Sequence, residues 1–240
     1  MFFNRFVQKN HAAKRLLFFA IFFFCSASAA FGQDYYVTRP DPRVLGHGSY
    51  NVSLHLVPNG GLLLGLKVGF FERLQIGLTY GGSNIIGAGD IDLYSFPGVQ
   101  AKVAILKEPE LPLSLAVGFD SQNSVWSEQV NQPGAYLVLG KEIPLGWLAF
   151  DLAFGAGYDF LNQWGWRGWH VYAAPSIILG QAFNITPELV VYPEYGINLG
   201  MSAGWQITKG TGIEFCLSDM FAETDPNWTR SVRFQLTQEF

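Results

Sequence analysis

NGGLLLGLKVGFFERLQIGLTYGGSNIIG, residues Asn59 to Gly87, decides how the rest of the chain is read. In steps of two, Leu62, Leu64, Leu66, Val68 and Phe70 fall on one face, and Leu63, Gly65, Lys67 and Gly69 on the other. After Phe71-Glu72-Arg73 the rhythm restarts: Leu74, Ile76, Leu78 and Tyr80 alternate with Gln75, Gly77, Thr79 and Gly81. Period-2 alternation of this length is a strand signal. A helix would need apolar positions three and four apart, and each of Gly65, Gly69 and Gly77 would cost it about 1 kcal/mol. One face is uniformly large and apolar, while the other is small, polar and sparsely charged. A soluble sandwich carries strong charge on its outer face. A glycine-rich second face fits instead the lumen side of a lipid-embedded wall. The stretch predicts a pair of strands in a transmembrane β-barrel.

Composition supports that class. Only 14 % of the 240 residues are charged and 16 % are aromatic, where a soluble domain averages about a quarter charged. Beyond the leader no run of eighteen apolar residues occurs, which argues against a helical membrane protein. Residues 1–32 read as a secretory signal: Arg5, Lys9, Lys14 and Arg15 precede the apolar Leu16 to Phe24, and small residues follow from Ser26 to Gly32. Cleavage after Ala29 or after Gly32 fits the small-x-small rule. A retained anchor would need a longer core, and Cys25 lacks the residues that lipoprotein processing prefers. Losing the leader removes four basic residues and no acid, taking the formal charge from −4 to about −8. An acidic mature chain argues against a nucleic-acid partner. Cys216 is then the one remaining cysteine, so no intramolecular disulfide is expected.

Residues 33–48, QDYYVTRPDPRVLGHG, show no alternation and two prolines, and are expected to form a periplasmic lead-in. The barrel domain is assigned to residues 49–240. Twelve strands are predicted there: Tyr50–Val57, Gly61–Phe71, Arg73–Gly81, Gly98–Lys107, Pro112–Ser121, Ala135–Glu142, Gly146–Asp159, Gly168–Ala182, Pro187–Tyr195, Gly196–Thr208, Thr211–Met220 and Arg230–Phe240. The division at Gly196 is the weakest, and merging there leads to ten as the alternative. Outward faces read clearly in most strands, for example Leu148, Phe150, Leu152 and Phe154 against Ala149, Asp151, Ala153 and Gly155. The segment Ala135–Glu142 leaves its facing open. Short and long connections alternate, with tight exceptions at Pro58-Asn59-Gly60 and near Gly196; this fits periplasmic turns opposite outer loops. Val232, Phe234 and Leu236 alternate with Arg233, Gln235 and Thr237 up to the terminal Phe240, a pattern expected to serve as the signal for barrel-insertion machinery.

Gly60-Gly61-Leu62-Leu63-Leu64-Gly65-Leu66-Lys67-Val68-Gly69, Tyr80-Gly81-Gly82-Ser83-Asn84-Ile85-Ile86-Gly87, Gly118-Phe119-Asp120-Ser121-Gln122 and Glu194-Tyr195-Gly196-Ile197-Asn198-Leu199-Gly200 carry a family likeness. Across most of Ser49 to Phe240 the chain resembles YjbH-like outer-membrane β-barrels. That resemblance implies the bacterial outer membrane and an envelope role linked to exopolysaccharide.

Little in the sequence points to catalysis. His47, His55 and His170 are the histidines left after cleavage, and none has a Ser and an acid at a recognisable spacing. Gly87-Ala88-Gly89 lacks the Lys and following helix of a phosphate loop. No cofactor and no metal site are expected. The inward charges Lys67, Lys102, Asp120, Asp151, Glu194, Glu214 and Arg233, together with His170, are expected to line the lumen. Being of both signs, they either pair and plug it or form a selectivity lining. Trp164, Trp166 and Trp169 are expected to form part of an aromatic girdle or a glycan-stacking platform. The expected protein is a structural, transport or exopolysaccharide-related outer-membrane barrel, with outer-membrane lipid and possible polysaccharide as partners. The competing classes are a barrel lipase or acyltransferase and a soluble periplasmic lipid-binding sandwich.

Overall fold

The computed structural model describes residues 35–121, 134–160, 168–180, 182–193, 196–220 and 229–240. The signal-peptide reading, Glu194, Trp164 and Trp166 lie outside these residues. Thirteen strands are present among the described residues: β1 (Ser49–Val57), β2 (Gly61–Phe70), β3 (Leu74–Ser83), β4 (Asp92–Leu93), β5 (Gly98–Leu106), β6 (Ser114–Asp120), β7 (Gly134–Leu145), β8 (Leu148–Asp159), β9 (Gly168–Leu179), β10 (Phe183–Tyr192), β11 (Gly196–Gln206), β12 (Thr211–Ser218) and β13 (Thr229–Glu239). The two residues of β4 pair only with the end of β3. The other twelve form one antiparallel ring in chain order, closed where β1 pairs β13 from Ser49↔Glu239 to Leu56↔Val232. Closure excludes the sandwich alternative, which needs two stacked sheets.

An even strand count brings both ends of the ring to one rim. The turns at 71–73, 146–147, 180–182 and 207–210 lie there, with the seven-residue connection 107–113. At the opposite rim the tight 58–60 joins β1 to β2 and the longer residues 84–97 join β3 to β5, while β6, β8, β10 and β12 end there at Asp120, Asp159, Tyr192 and Ser218. The division at Gly196 stands, where φ is +101°. The preceding boundary is corrected. β9 ends at Leu179, Gly180 turns the chain at φ +56°, and β10 starts at Phe183 rather than Pro187. Pro187 is tolerated inside β10 because the β9–β10 ladder pairs Ile185 and then Leu189, leaving residues 186–188 out of register contact.

Alternation holds around the ring and supplies the barrel with two unlike surfaces. Leu64, Leu66, Ile76, Leu78, Val103, Val117, Leu137, Leu139, Phe154 and Phe215 are exposed on the outside. Lys67, Lys102, Asp120, Asp151, His170, Glu188, Glu214 and Arg233 are buried on the inside. That inverts a soluble protein and is the pattern of a wall between lipid and a polar lumen. Aromatic rings flank the aliphatic band at both rims. Tyr158 packs on Trp169 and Phe160 at the rim opposite the short turns, at 5.3 and 5.6 Å between ring centroids. Phe183 stacks on Trp205 at 6.0 Å and Tyr50 on Phe240 at 5.1 Å beside the short turns. Trp147 and Tyr158 lie eleven residues apart. At ~3.3 Å per residue and a tilt of about 35–45°, that separation spans roughly 26–30 Å of height, close to the apolar band of outer-membrane barrels.

The segment Ala135–Glu142 now has a facing: Tyr136, Val138 and Gly140 point in, while Leu137 and Leu139 point out. The largest correction concerns residues 35–48. They run inside the ring rather than as a lead-in beneath it, with Tyr36, Val37, Arg39 and Asp41 all buried.

Candidate functional site

The lumen is occupied by this segment. Tyr35 and Pro40 form a bridge, and the Tyr36 N–H donates to the Arg39 carbonyl at 2.8 Å, so residues 35–40 make a tight hairpin. The chain then passes Pro42 and Leu45 toward the short-turn rim, where Gly48, at φ +72°, redirects it into β1. Side chains of β3, β5, β6, β8, β9, β10 and β13 all bond to it, so it reaches most of the circumference.

The hairpin tip is held by two charges from different parts of the wall. The Glu188 carboxylate on β10 accepts the backbone N–H groups of Val37, Thr38 and Arg39 at 3.1, 3.0 and 2.9 Å, and the Thr38 hydroxyl as well. Arg233 on β13 donates to the Tyr35, Tyr36 and Val37 carbonyls at 3.0, 3.3 and 3.0 Å. An anion gathers the turn's donors while a cation gathers its acceptors, satisfying polar backbone that would otherwise be buried at a cost. Arg233 is anchored by its cross-strand neighbour Glu214 at 2.7 Å.

Further contacts fix the descending limb. Arg43 pairs with Asp41 and reaches Asp151 at 3.0 Å, while Lys102 donates to the Arg43 carbonyl at 3.1 Å. Tyr172 donates to the Pro40 carbonyl at 3.0 Å, and the Leu45 N–H donates to Gln75 at 3.0 Å. Tyr35 donates to Asp120, and its ring lies 5.2 Å from the Lys67 ammonium. Arg39 donates to Tyr192 and, at 3.0 Å, to His170 Nε2. A guanidinium has no lone pair to offer, so Nε2 accepts and the ring proton sits on Nδ1, 3.4 Å from Asp159. Nε2 is thereby engaged in holding the segment, while Nδ1 finds no hydrogen-bond partner among the described residues, its nearest carboxylate being Asp159 on the wall.

Several inward glycines are clearances. A Cβ on Gly140 would meet Pro42 Cγ at 2.5 Å, one on Gly200 would meet Val37 Cγ1 at 3.0 Å, and one on Gly69 would overlap the Leu45 and Gly46 carbonyls. Others lie under large side chains of the neighbouring strand: Gly118 opposes Tyr136, Gly155 opposes Tyr172 and Gly157 opposes His170. The small inward face thus reflects an occupied lumen more than a narrow radius.

The structure brings Lys102, Asp120, Asp151, His170, Glu214 and Arg233 together around the segment, with Lys67 beside Tyr35. Sequence reasoning missed Glu188 and Asp159. Glu188 lies inside the predicted strand Pro187–Tyr195 and shares the inward parity of Val190 and Tyr192, so assigning the two faces of that strand would have found it. Trp169 stands on the outer surface against Tyr158, a girdle position rather than a lumen one. Val232, Phe234 and Leu236 face outward, and Phe240 packs on Tyr50. At the short-turn rim, a hydrogen bond from Lys107 and the His47 backbone N–H hold the Glu72 carboxyl below its ordinary range. No group of three potential metal ligands occurs among the described residues.

No family model and no curated protein matches this chain. Among solved structures it is similar to an outer membrane channel from Pseudomonas putida F1, with 15 % identity, a TM-score of 0.51, and 82 % of this chain and 98 % of that one covered. The KdgM porin aligns at 13 % identity and a TM-score of 0.49 over 80 % and 99 % of the two chains. The NanC porin aligns at 12 % identity and 0.46 over 80 % and 99 %. The likeness to the Pseudomonas channel is one of fold: the chain is a twelve-stranded antiparallel barrel of the outer-membrane type.

Proposed function

We propose that the protein is an outer-membrane channel for small solutes whose lumen is closed by its own residues 35–48. The observation that carries this reading is the polar clamp of Glu188 and Arg233 on the hairpin tip. The polar ties of the segment to the wall are hydrogen bonds and ion pairs that water can replace, Tyr36 packs in addition among Ala116, Val138 and Ala174, and the segment continues into the barrel at Gly48. A plug held that way is releasable. Such a barrel would sit in the outer membrane after secretory export and insertion, with lipid around its aliphatic band. The resemblance to YjbH-like barrels extends the proposal to an exopolysaccharide-related envelope role, with a polysaccharide as possible partner.

The enzyme alternative receives less support, because His170 Nε2 is taken by the Arg39 guanidinium. No turnover of phospholipids or acyl esters is expected, and His170→Ala should not create or abolish any. The channel reading is tested in planar bilayers. The intact chain should show little conductance, and a deletion of residues 35–46 should conduct steadily. A deletion variant that folds, shifts on unheated gels and still fails to conduct would overturn it.

A further inference from the structure

A cavity opens above the hairpin on the side of the lumen formed by β12, β13, β1, β2, β3 and β5. Its empty space, counted out through the mouth into open solvent, is about 640 Å³. The floor is Tyr35, Val37 and Thr38 of the plug. The wall is chemically one-sided. Lys67, His55 and Arg233 line it, and among the described residues no Asp or Glu does. The acids of the lumen stand elsewhere: Asp151, Asp159 and Glu188 belong to β8 and β10, and Glu214, which anchors Arg233, is not part of the lining. Asp120 on β6 is turned onto Tyr35 and Gln100 and stays outside the lining as well. Ser53, Thr79, Ser218, Thr229 and Ser231 add hydroxyls around the same space.

From this lining we infer that the cavity binds a small anionic polyol, a carboxylate or phosphate carried on a hydroxyl-rich skeleton, and that its binding loosens the plug. The inference rests on the channel reading above and names its solute class. The anionic group is drawn to Lys67 and Arg233, and the polyol exchanges hydrogen bonds with the serine and threonine hydroxyls. Arg233 links the two events, because the guanidinium that lines the cavity also holds three carbonyls of the hairpin tip. An anion that takes hydrogen bonds from Arg233 competes with those carbonyls. By reciprocity, a loosened plug binds the anion more tightly.

Calorimetry on the detergent-folded full chain tests binding with glucuronate, glucose 6-phosphate and neutral glucose. At least one of the two anions should bind tenfold or more tighter than glucose, and the better of them identifies the anionic group. Lys67→Gln should weaken that binding about tenfold, and His55→Asp, which adds an acid to the lining, should abolish it. Lys209→Gln, in an exposed turn at the short-turn rim, should change nothing. In bilayers the preferred anion should raise the opening frequency of the intact chain, and glucose should not. Equal affinity for glucose and both anions, or full binding by folded Lys67→Gln and His55→Asp proteins, would overturn the site. Tight anion binding with no change in opening would overturn the link to the plug. Failure of the site is distinguishable from failure of the channel. The first removes anion binding while the 35–46 deletion still conducts, and the second leaves anion binding intact in a barrel that never conducts.

Discussion

Removing the Glu188 carboxylate should release the plug. In the native lumen it accepts three backbone N–H groups at 2.9–3.1 Å and the Thr38 hydroxyl. Hydrogen bonds to a charged acceptor contribute about 1.5–3 kcal/mol each, and a buried donor left without a partner costs about 1–3 kcal/mol. In Glu188→Ala, three donors pointing at a methyl group would lose more than the sum suggests if the site stayed dry, and less once water enters the vacated space. A net weakening of about 3–6 kcal/mol is the reasonable range, equivalent to roughly a 10²–10⁴-fold shift toward the released state at ~1.4 kcal/mol per decade. Glu188→Gln should fall between, because its carbonyl still accepts while its amide nitrogen faces donors. Thr38→Ala removes only the hydroxyl bond and should shift the equilibrium about tenfold or less. Single-channel recording measures all three against the native protein, with gel mobility before and after heating reporting that the barrel is intact. If Glu188→Ala stays as closed as the native chain while the 35–46 deletion conducts, the clamp is not what retains the plug.

Other outcomes follow from the same geometry. Gly140→Val places a side chain against Pro42, so it should open the channel with every polar contact of the tip left in place; unchanged conductance would refute the clearance. Leu137→Arg, on the exposed outer face of β7, should cost about 2–4 kcal/mol near the bilayer midplane, read as a lower urea midpoint for folding into vesicles. In a Cys216→Ser background, Asp90→Cys in a long-rim loop should react with an impermeant thiol reagent on whole cells. Glu110→Cys at the short-turn rim should react only after permeabilisation, and the reverse pattern would invert the orientation. The Glu72 carboxyl is held below its ordinary value of 4.5 by Lys107 and the His47 N–H. Its stabilisation is therefore present above that value and lost as pH falls through the lowered one. Urea titrations of the native chain from pH 7 to 3 should show an acid-side loss that Glu72→Gln lacks.

The alternation of Asn59 to Gly87 and its later repeats determined the strands, their lipid and lumen faces, the even count and the shared rim of the two ends. These follow from sequence because a wall between two unlike solvents must alternate at every second residue. Leu64 and Lys67 declare their sides without reference to any distant partner. The facing of β7 did not follow, because Tyr136 and Val138 point inward onto a filled lumen and make both of its faces apolar. The inward glycines were legible as small, but that Gly140 and Gly200 clear space for Pro42 and Val37 is a fact of the tertiary structure. So is the course of residues 35–48. Their polar, proline-broken sequence suits a solvated segment as well as a plug. What decides between them is Glu188, 151 positions from Val37, and Arg233, 197 positions from Tyr36. Only the closed ring brings these two opposite charges to the donors and acceptors of one turn, and no local pattern encodes that meeting.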